Sequence, residues 1–156
     1  MIRVLCVCLG NICRSPAAEA ILQAKLSDAG IDALVDSAGT GDWHVGEMAD
    51  QRMRDHAARR GFILESRGRQ IKREDLQRFD YVLTMDQSNQ SNVQRLAGND
   101  VEKVKIQPIC EFIVGQKVKE VPDPYYGGAS GFEKVLDILE SAADGFVEHI
   151  KVKNLT

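Results

Sequence analysis

Cys8 and Arg14 stand six residues apart, with Leu9-Gly10-Asn11-Ile12-Cys13 between them and Ser15-Pro16 following. A cysteine attacks electrophilic centres as its thiolate, and an arginine offers a planar fork that matches two oxygens of a tetrahedral anion. Four cysteines and eleven arginines in 156 residues produce such a spacing by chance often enough that the pair alone says little. Its setting is what informs. Residues 2–8 are a short apolar run, as in a buried parallel strand. Gly10 and Asn11 tolerate the left-handed backbone that bends a loop into a cradle. A helix is predicted over residues 15–30, with Ser15 as its cap, Pro16 in its first turn, Glu19 near its positive end and Gly30 as its stop. Successive loop amides then converge on one anion, the helix start adds positive potential, and Arg14 clamps two oxygens. The loop Leu9, Gly10, Asn11, Ile12, Cys13, Arg14, Ser15 is thus a site for a tetrahedral dianion. The same dipoles favour the Cys8 thiolate beneath it, placed for in-line attack on phosphorus.

Displacing an alkoxide or phenoxide needs a proton donor, and hydrolysing the resulting thiophosphate needs a base. One carboxyl group can serve both in turn. Asp123, held between Pro122 and Pro124 and followed by Tyr125-Tyr126-Gly127-Gly128, is the best-placed acid by this reading. Asp86 is expected to cap a helix instead. Trp43, in the loop after a second strand, and the paired tyrosines offer aromatic walls. Cys6 reads as a core residue. Cys13 reads either as a loop filler or as a partner that bridges Cys8 reversibly and shields it from over-oxidation. The spacing of Cys6, Cys8 and Cys13 lacks the paired pattern of a zinc site, so no metal and no cofactor is expected. His44, His56 and His149 show no partner pattern and read as surface or interhelical residues.

The elements that position these groups alternate. Strands are predicted at 2–8, 33–37, 80–84 and 104–106, and helices at 15–30, 47–60, 86–96 and 130–150. That order argues a single α/β domain spanning 1–156, a three-layer sandwich with a four-stranded parallel sheet flanked by helices. Ligands bind outside the carboxyl ends of such strands, which is where the Cys8 loop falls. Apolar residues make up 44% and net charge is −3, which excludes a disordered chain and gives no sign of a nucleic-acid partner. Residues 52–73 carry eight basic groups against two acids, a solvated helix face or a patch that steers an anion. No apolar run is long enough to span a membrane, and the N-terminus reads as a strand rather than a leader. Clustered cysteines without an export signal point to a reducing, cytoplasmic setting.

With the Cys8–Pro16 loop, Asp123-Pro124-Tyr125-Tyr126, Ser37, Asp42-Trp43 and the segment Phe79–Asn89 in view, the sequence resembles the low-molecular-weight protein tyrosine phosphatase family over nearly its whole length. The resemblance implies phosphotyrosine hydrolysis through a cysteinyl-phosphate, without metal. Cys8 would be the nucleophile, Arg14 the phosphate clamp, and Asp123 the acid and then the base. Ser15 would donate to the Cys8 sulfur, Asn11 and Ser37 would brace the loop, and Leu9, Ile12, Trp43, Tyr125 and Tyr126 would line the cleft. Family members often have a histidine shortly before the dipeptide that is Arg69-Gln70 here, where this chain has Ser66. Related arginine phosphatases often carry threonine at the position of Ile12, so the bulkier Ile12 favours an aryl ester. The two tyrosines are themselves phosphorylated in some members. A tyrosine-phosphorylated protein is the implied partner, and a monomer or weak dimer the implied assembly. Two other readings remain: a thiol-relay arsenate reductase, for which only Cys110 lies downstream, and a non-enzymatic anion sensor.

Overall fold

Val4, Leu5, Cys6 and Val7 are fully buried, because β1 (Ile2–Cys8) runs through the middle of the sheet with helices on both faces. In a computed structural model of the chain, residues 1–125 and 128–154 are described. The sheet has four parallel strands in the order β2-β1-β3-β4, with β2 Ala33–Gly39, β3 Tyr81–Thr84 and β4 Ile106–Pro108. The fold class expected from the sequence is the one observed. The chain steps from β1 to one neighbour and then back across to the other, so the carboxyl end of β1 lies at the crevice where connections diverge.

Alternation along β1 divides the core in two. Val4, Cys6 and Cys8 face α1 (Arg14–Asp28) and the long closing helix α6 (Ala129–Asn154). Leu5 and Val7 face the other layer, built from Leu76 of α3 (Asp75–Arg78), Phe79, and Val93 of α4 (Gln87–Leu96). Cys6 is therefore a core residue, as expected. Apolar periodicity over α6 is fulfilled by Phe132, Val135, Leu136, Leu139, Ala143, Phe146 and Ile150, all buried. Among the described residues no helix is long and apolar enough to cross a membrane.

Several boundaries differ from expectation for physical reasons. Cys13, not Ser15, occupies the position before α1 and offers no side-chain cap. Ser15 lies inside the first turn, with its hydroxyl turned toward Cys8. The second helix, α2, is only Gln51–Arg59, because Asp50 caps it and Glu47 is held in a turn by Gly68 N–H. The fourth strand begins at Ile106 rather than Val104, since a short helix α5 (Asp100–Lys103), capped by Asn99, takes the preceding residues. A 3-10 turn, Ile109–Phe112, follows β4.

The outer edge of β2 is closed by a side chain. The Gln23 amide donates to Ala33 carbonyl at 3.0 Å and accepts from Val35 N–H at 3.1 Å, as a neighbouring peptide group would. An open strand edge otherwise invites pairing with another chain.

Candidate active site

The loop after β1 is shaped by one residue in an uncommon conformation. Asn11 has φ +57°, and its side chain secures that bend from both ends. Its Nδ2 donates to Ser15 Oγ at 2.8 Å, and its Oδ1 accepts from Arg69 N–H at 3.0 Å. Gly10 does not share the left-handed conformation expected of it. Gly39 at the end of β2 lies directly under the loop, where an added Cβ would sit 2.8 Å from Leu9 carbonyl oxygen. The N–H groups of Ile12, Cys13, Arg14 and Ser15 have no hydrogen-bond acceptor among the described residues, so they are available to an anion.

Cys8 Sγ sits at the base of this loop, nearly buried. It accepts from Asn11 N–H at 3.3 Å and shares a 3.0 Å hydrogen bond with Ser15 Oγ. A thiolate has no proton to give, so with the sulfur ionised Ser15 is the donor. All four cysteines are free. Burial, followed by the nearby Asp50 charge, pushes the Cys13 thiol far up, and burial with Glu120 pushes Cys110 up to about 11. Among the described residues no group of three His, Cys, Asp or Glu side chains is arranged to hold a metal ion.

Arg14 is buried with its guanidinium fixed on three sides. Nη1 donates to Asp86 Oδ2 at 2.7 Å and to Val121 carbonyl at 3.0 Å, and Nη2 lies 3.7 Å from Asp123 Oδ2. Burial alone would ease its proton off, but the charges of Cys8, Asp86 and Asp123 hold its pKa above the ordinary value. Asp86 thus does more than cap α4, which it also does through a capping box with Asn89. Asp123 remains partly exposed at the cleft mouth, one oxygen receiving Tyr125 N–H at 3.0 Å.

Cys8, Leu9, Gly10, Ile12, Cys13, Arg14, Trp43, His44, Asp123 and Tyr125 surround one cleft of about 400 Å³. The residues singled out as nucleophile, clamp, acid and walls therefore meet in one place, Tyr126 excepted, which lies outside the described residues. Trp43 is 67% exposed and lies over Gly41, where an added Cβ would come within 1.8 Å of its ring. His44 lines the cleft with Nδ1 2.8 Å from Glu47, a placement whose only sequence signal is its adjacency to Trp43. Ser37 departs from expectation. Its hydroxyl donates to Glu19 Oε1 at 2.6 Å rather than to the loop. Burial, with the Asp36 charge after it, raises the Glu19 pKa. Bracing of the loop falls instead to Arg69, whose guanidinium is held between Asp36 and Asp75 while its N–H secures Asn11. Half of the basic run is likewise paired with acids within the fold, with Arg52 on Asp50, Arg60 on Glu133, Asp137 and Glu140, and Arg73 on Glu102 beside Arg69.

A nearly buried cysteine below these loop amides, with a buried arginine lining the same cleft, sits at the crevice of a parallel-sheet α/β fold. The model of the low molecular weight phosphotyrosine protein phosphatases matches residues 3–155, and the chain belongs to that family. It is 40% identical over 154 residues to the low molecular weight protein-tyrosine-phosphatase of Streptomyces coelicolor, covering 96% of this chain and 93% of that one. The crystal structure of a protein tyrosine phosphatase from Entamoeba histolytica, with Hepes in its active site, superposes with a TM-score of 0.95 at 38% identity, covering 99% of both chains. That of the Drosophila arginine phosphatase superposes with a TM-score of 0.90 at 32% identity, covering 96% of this chain and 98% of the other.

Proposed function

We propose that the enzyme hydrolyses phosphotyrosine, and small aryl phosphates, by way of a phosphocysteine on Cys8. The reading is carried by one observation: Cys8 Sγ, the Arg14 guanidinium and the Asp123 carboxyl group all face the same cleft. The loop amides and Arg14 take the non-bridging oxygens. The Cys8 sulfur then attacks phosphorus opposite the leaving oxygen, an S–P bond forms and the P–O(aryl) bond breaks. The Asp123 proton passes to the departing phenolate. In the second step the Asp123 carboxylate takes a proton from water, the water oxygen attacks phosphorus, the S–P bond breaks and inorganic phosphate leaves. Ser15 steadies the sulfur as its negative charge returns. No cofactor or metal has a part in either step.

An aryl ester is favoured by the apolar walls Leu9, Ile12, Trp43 and Tyr125, with Tyr126 the proposed fifth member. Ile12 leaves no hydroxyl at the position that related arginine phosphatases often give to threonine. The partner by this reading is a tyrosine-phosphorylated protein in the cytoplasm, met by a monomer or weak dimer. A Cys8–Cys13 disulfide, formed by a peroxide and reduced by a dithiol, is the redox control that the reading includes.

The test is rapid mixing with p-nitrophenyl phosphate. A burst of nitrophenol near one equivalent, absent in Cys8→Ser, with a phosphocysteine trapped by acid quench, is expected. Phosphotyrosine peptides should turn over faster than matched phosphoarginine peptides. Normal turnover by Cys8→Ser would end the reading.

A further inference from the structure

The start of α2 joins the phosphate loop to the loop that carries Asp123. Asp50 N–H donates to Ile12 carbonyl at 2.8 Å, so this residue is anchored on the phosphate loop. Its carboxylate caps α2 by accepting from Arg52 N–H at 2.9 Å. The same carboxylate takes both arms of the Arg52 guanidinium, from Nε at 3.1 Å and Nη2 at 3.0 Å. Arg52 Nη2 then reaches across to donate to Tyr125 carbonyl at 2.9 Å. The guanidinium carbon lies 5.5 Å from the Tyr125 ring centre and 4.9 Å from that of Phe132, at the start of α6. Tyr125 N–H is the group that holds Asp123 Oδ1, and the other oxygen of Asp123 faces Arg14. Contacts thus run from the phosphate loop through Asp50, Arg52, Tyr125 and Asp123 back to Arg14.

We infer that Arg52 is a positioning residue: by gripping Tyr125 it fixes the Asp123 carboxyl group over the leaving oxygen. This rests on Asp123 being the proton donor. The grip needs a planar fork, since one guanidinium serves a carboxylate, a carbonyl and two aromatic rings together, and an ammonium cannot match that geometry. Its platform is firm, because α2 is tied to α6 through His56 and Arg60 on Glu133. Asp123 itself follows Pro122 in an exposed loop, where a carboxyl group without a tether samples many positions. Arg52 touches no atom of the reacting ester in this scheme, so its effect must be seen through the proton delivered by Asp123.

The experiment is kcat/KM for a series of aryl phosphates whose phenols span a wide acidity range. It is measured for the wild type, Arg52→Met, Arg52→Lys, Asp123→Asn, and the double variant of Arg52→Met with Asp123→Asn. General acid catalysis is worth about 10²–10⁴-fold where the leaving group is poor. Arg52→Met is expected to lower kcat/KM for phenyl phosphate about tenfold or more, and that of the most activated ester less than about threefold, on the same principle. Arg52→Lys should recover only part of the loss. Inhibition by inorganic phosphate should change less than about threefold, and the double variant should match Asp123→Asn alone, because groups acting as a unit are not additive. A uniform fall across the series in Arg52→Met, full recovery in Arg52→Lys, or losses that multiply in the double variant would overturn the role of Arg52 and leave Asp123 standing. A wild-type leaving-group profile in Asp123→Asn would overturn the assignment of Asp123, and the inference with it.

Discussion

Ser15 and Asn11 illustrate how much depends on where one hydrogen bond points. Ser15 Oγ accepts from Asn11 and stands 3.0 Å from the Cys8 sulfur and 3.5 Å from Ala38 carbonyl, so with the sulfur ionised the shorter bond takes its proton, and in the proposed mechanism that steadies the group that leaves as phosphocysteine is hydrolysed. A hydrogen bond to a charged group is worth about 1.5–3 kcal/mol. Ser15→Ala should therefore keep the nitrophenol burst yet slow the steady state by about ten- to a hundredfold on that basis, which stopped-flow separates directly. Asn11 combines left-handed backbone with two side-chain bonds. Asn11→Ala should cost about 2–4 kcal/mol in urea unfolding, from conformational strain together with lost bonds. Asn11→Gly relieves the strain alone and should recover about 1 kcal/mol of it.

At the scale of elements, two close fits set the frame around the site. Gly145 brings α6 against the 3-10 turn so tightly that an added Cβ would sit 1.6 Å from Phe112 carbonyl oxygen. Gly145→Ala must push the helix away, and overpacking of this kind costs about 1–3 kcal/mol, to be read as a lower urea midpoint. Gln23 performs the opposite service for β2 by pairing with its outer edge. Gln23→Ala leaves Val35 N–H and Ala33 carbonyl without that partner and should cost about 1–2 kcal/mol. Light scattering at rising concentration would show whether the bared edge also recruits a second copy. Helix and strand positions were largely legible beforehand, since apolar periodicity reports which face an element buries. Boundaries such as Gln51 and Ile106 were not, because they follow from a cap or a short helix packed against neighbours.

Across the whole molecule, two glutamates respond to pH in opposite senses. The hydrogen bond from Arg60, and then that from His56, hold Glu133 below its ordinary value of 4.5. The stability it contributes is present above 4.5 and is lost as pH falls through the lowered value, so Glu133→Gln should flatten the acid limb of a stability–pH curve. Burial raises Glu19 above 4.5. A carboxyl group raised on folding favours the fold below 4.5 and gives up that contribution as pH rises through the folded value. Glu19→Gln keeps a polar partner for Ser37 and should be more stable than wild type at neutral pH and no better at pH 4, measured by thermal unfolding in matched buffers. Together the two variants separate the α2–α6 clasp from the half-buried acid beside β2.

The chemistry proposed for the Cys8 loop was legible in the sequence itself. Strand, turn residues, arginine and helix follow one another within nine residues, and local backbone preference is enough to bring their groups together. The long closing helix and the parallel order of strands were determined in the same way, by periodicity and alternation. What the tertiary structure decided is which distant groups complete the loop. Asp86, 72 residues from Arg14, and Val121, 107 residues away, meet its guanidinium only because β3 pairs with β1 and the Asp123 loop folds over both. The same packing turns half of the basic run into ion pairs, sends Ser37 to Glu19, and aims Arg52 at Tyr125. A periodicity describes one element's own face. The partner that face meets depends on how all the elements pack, and a buried charge can be satisfied only once that packing exists.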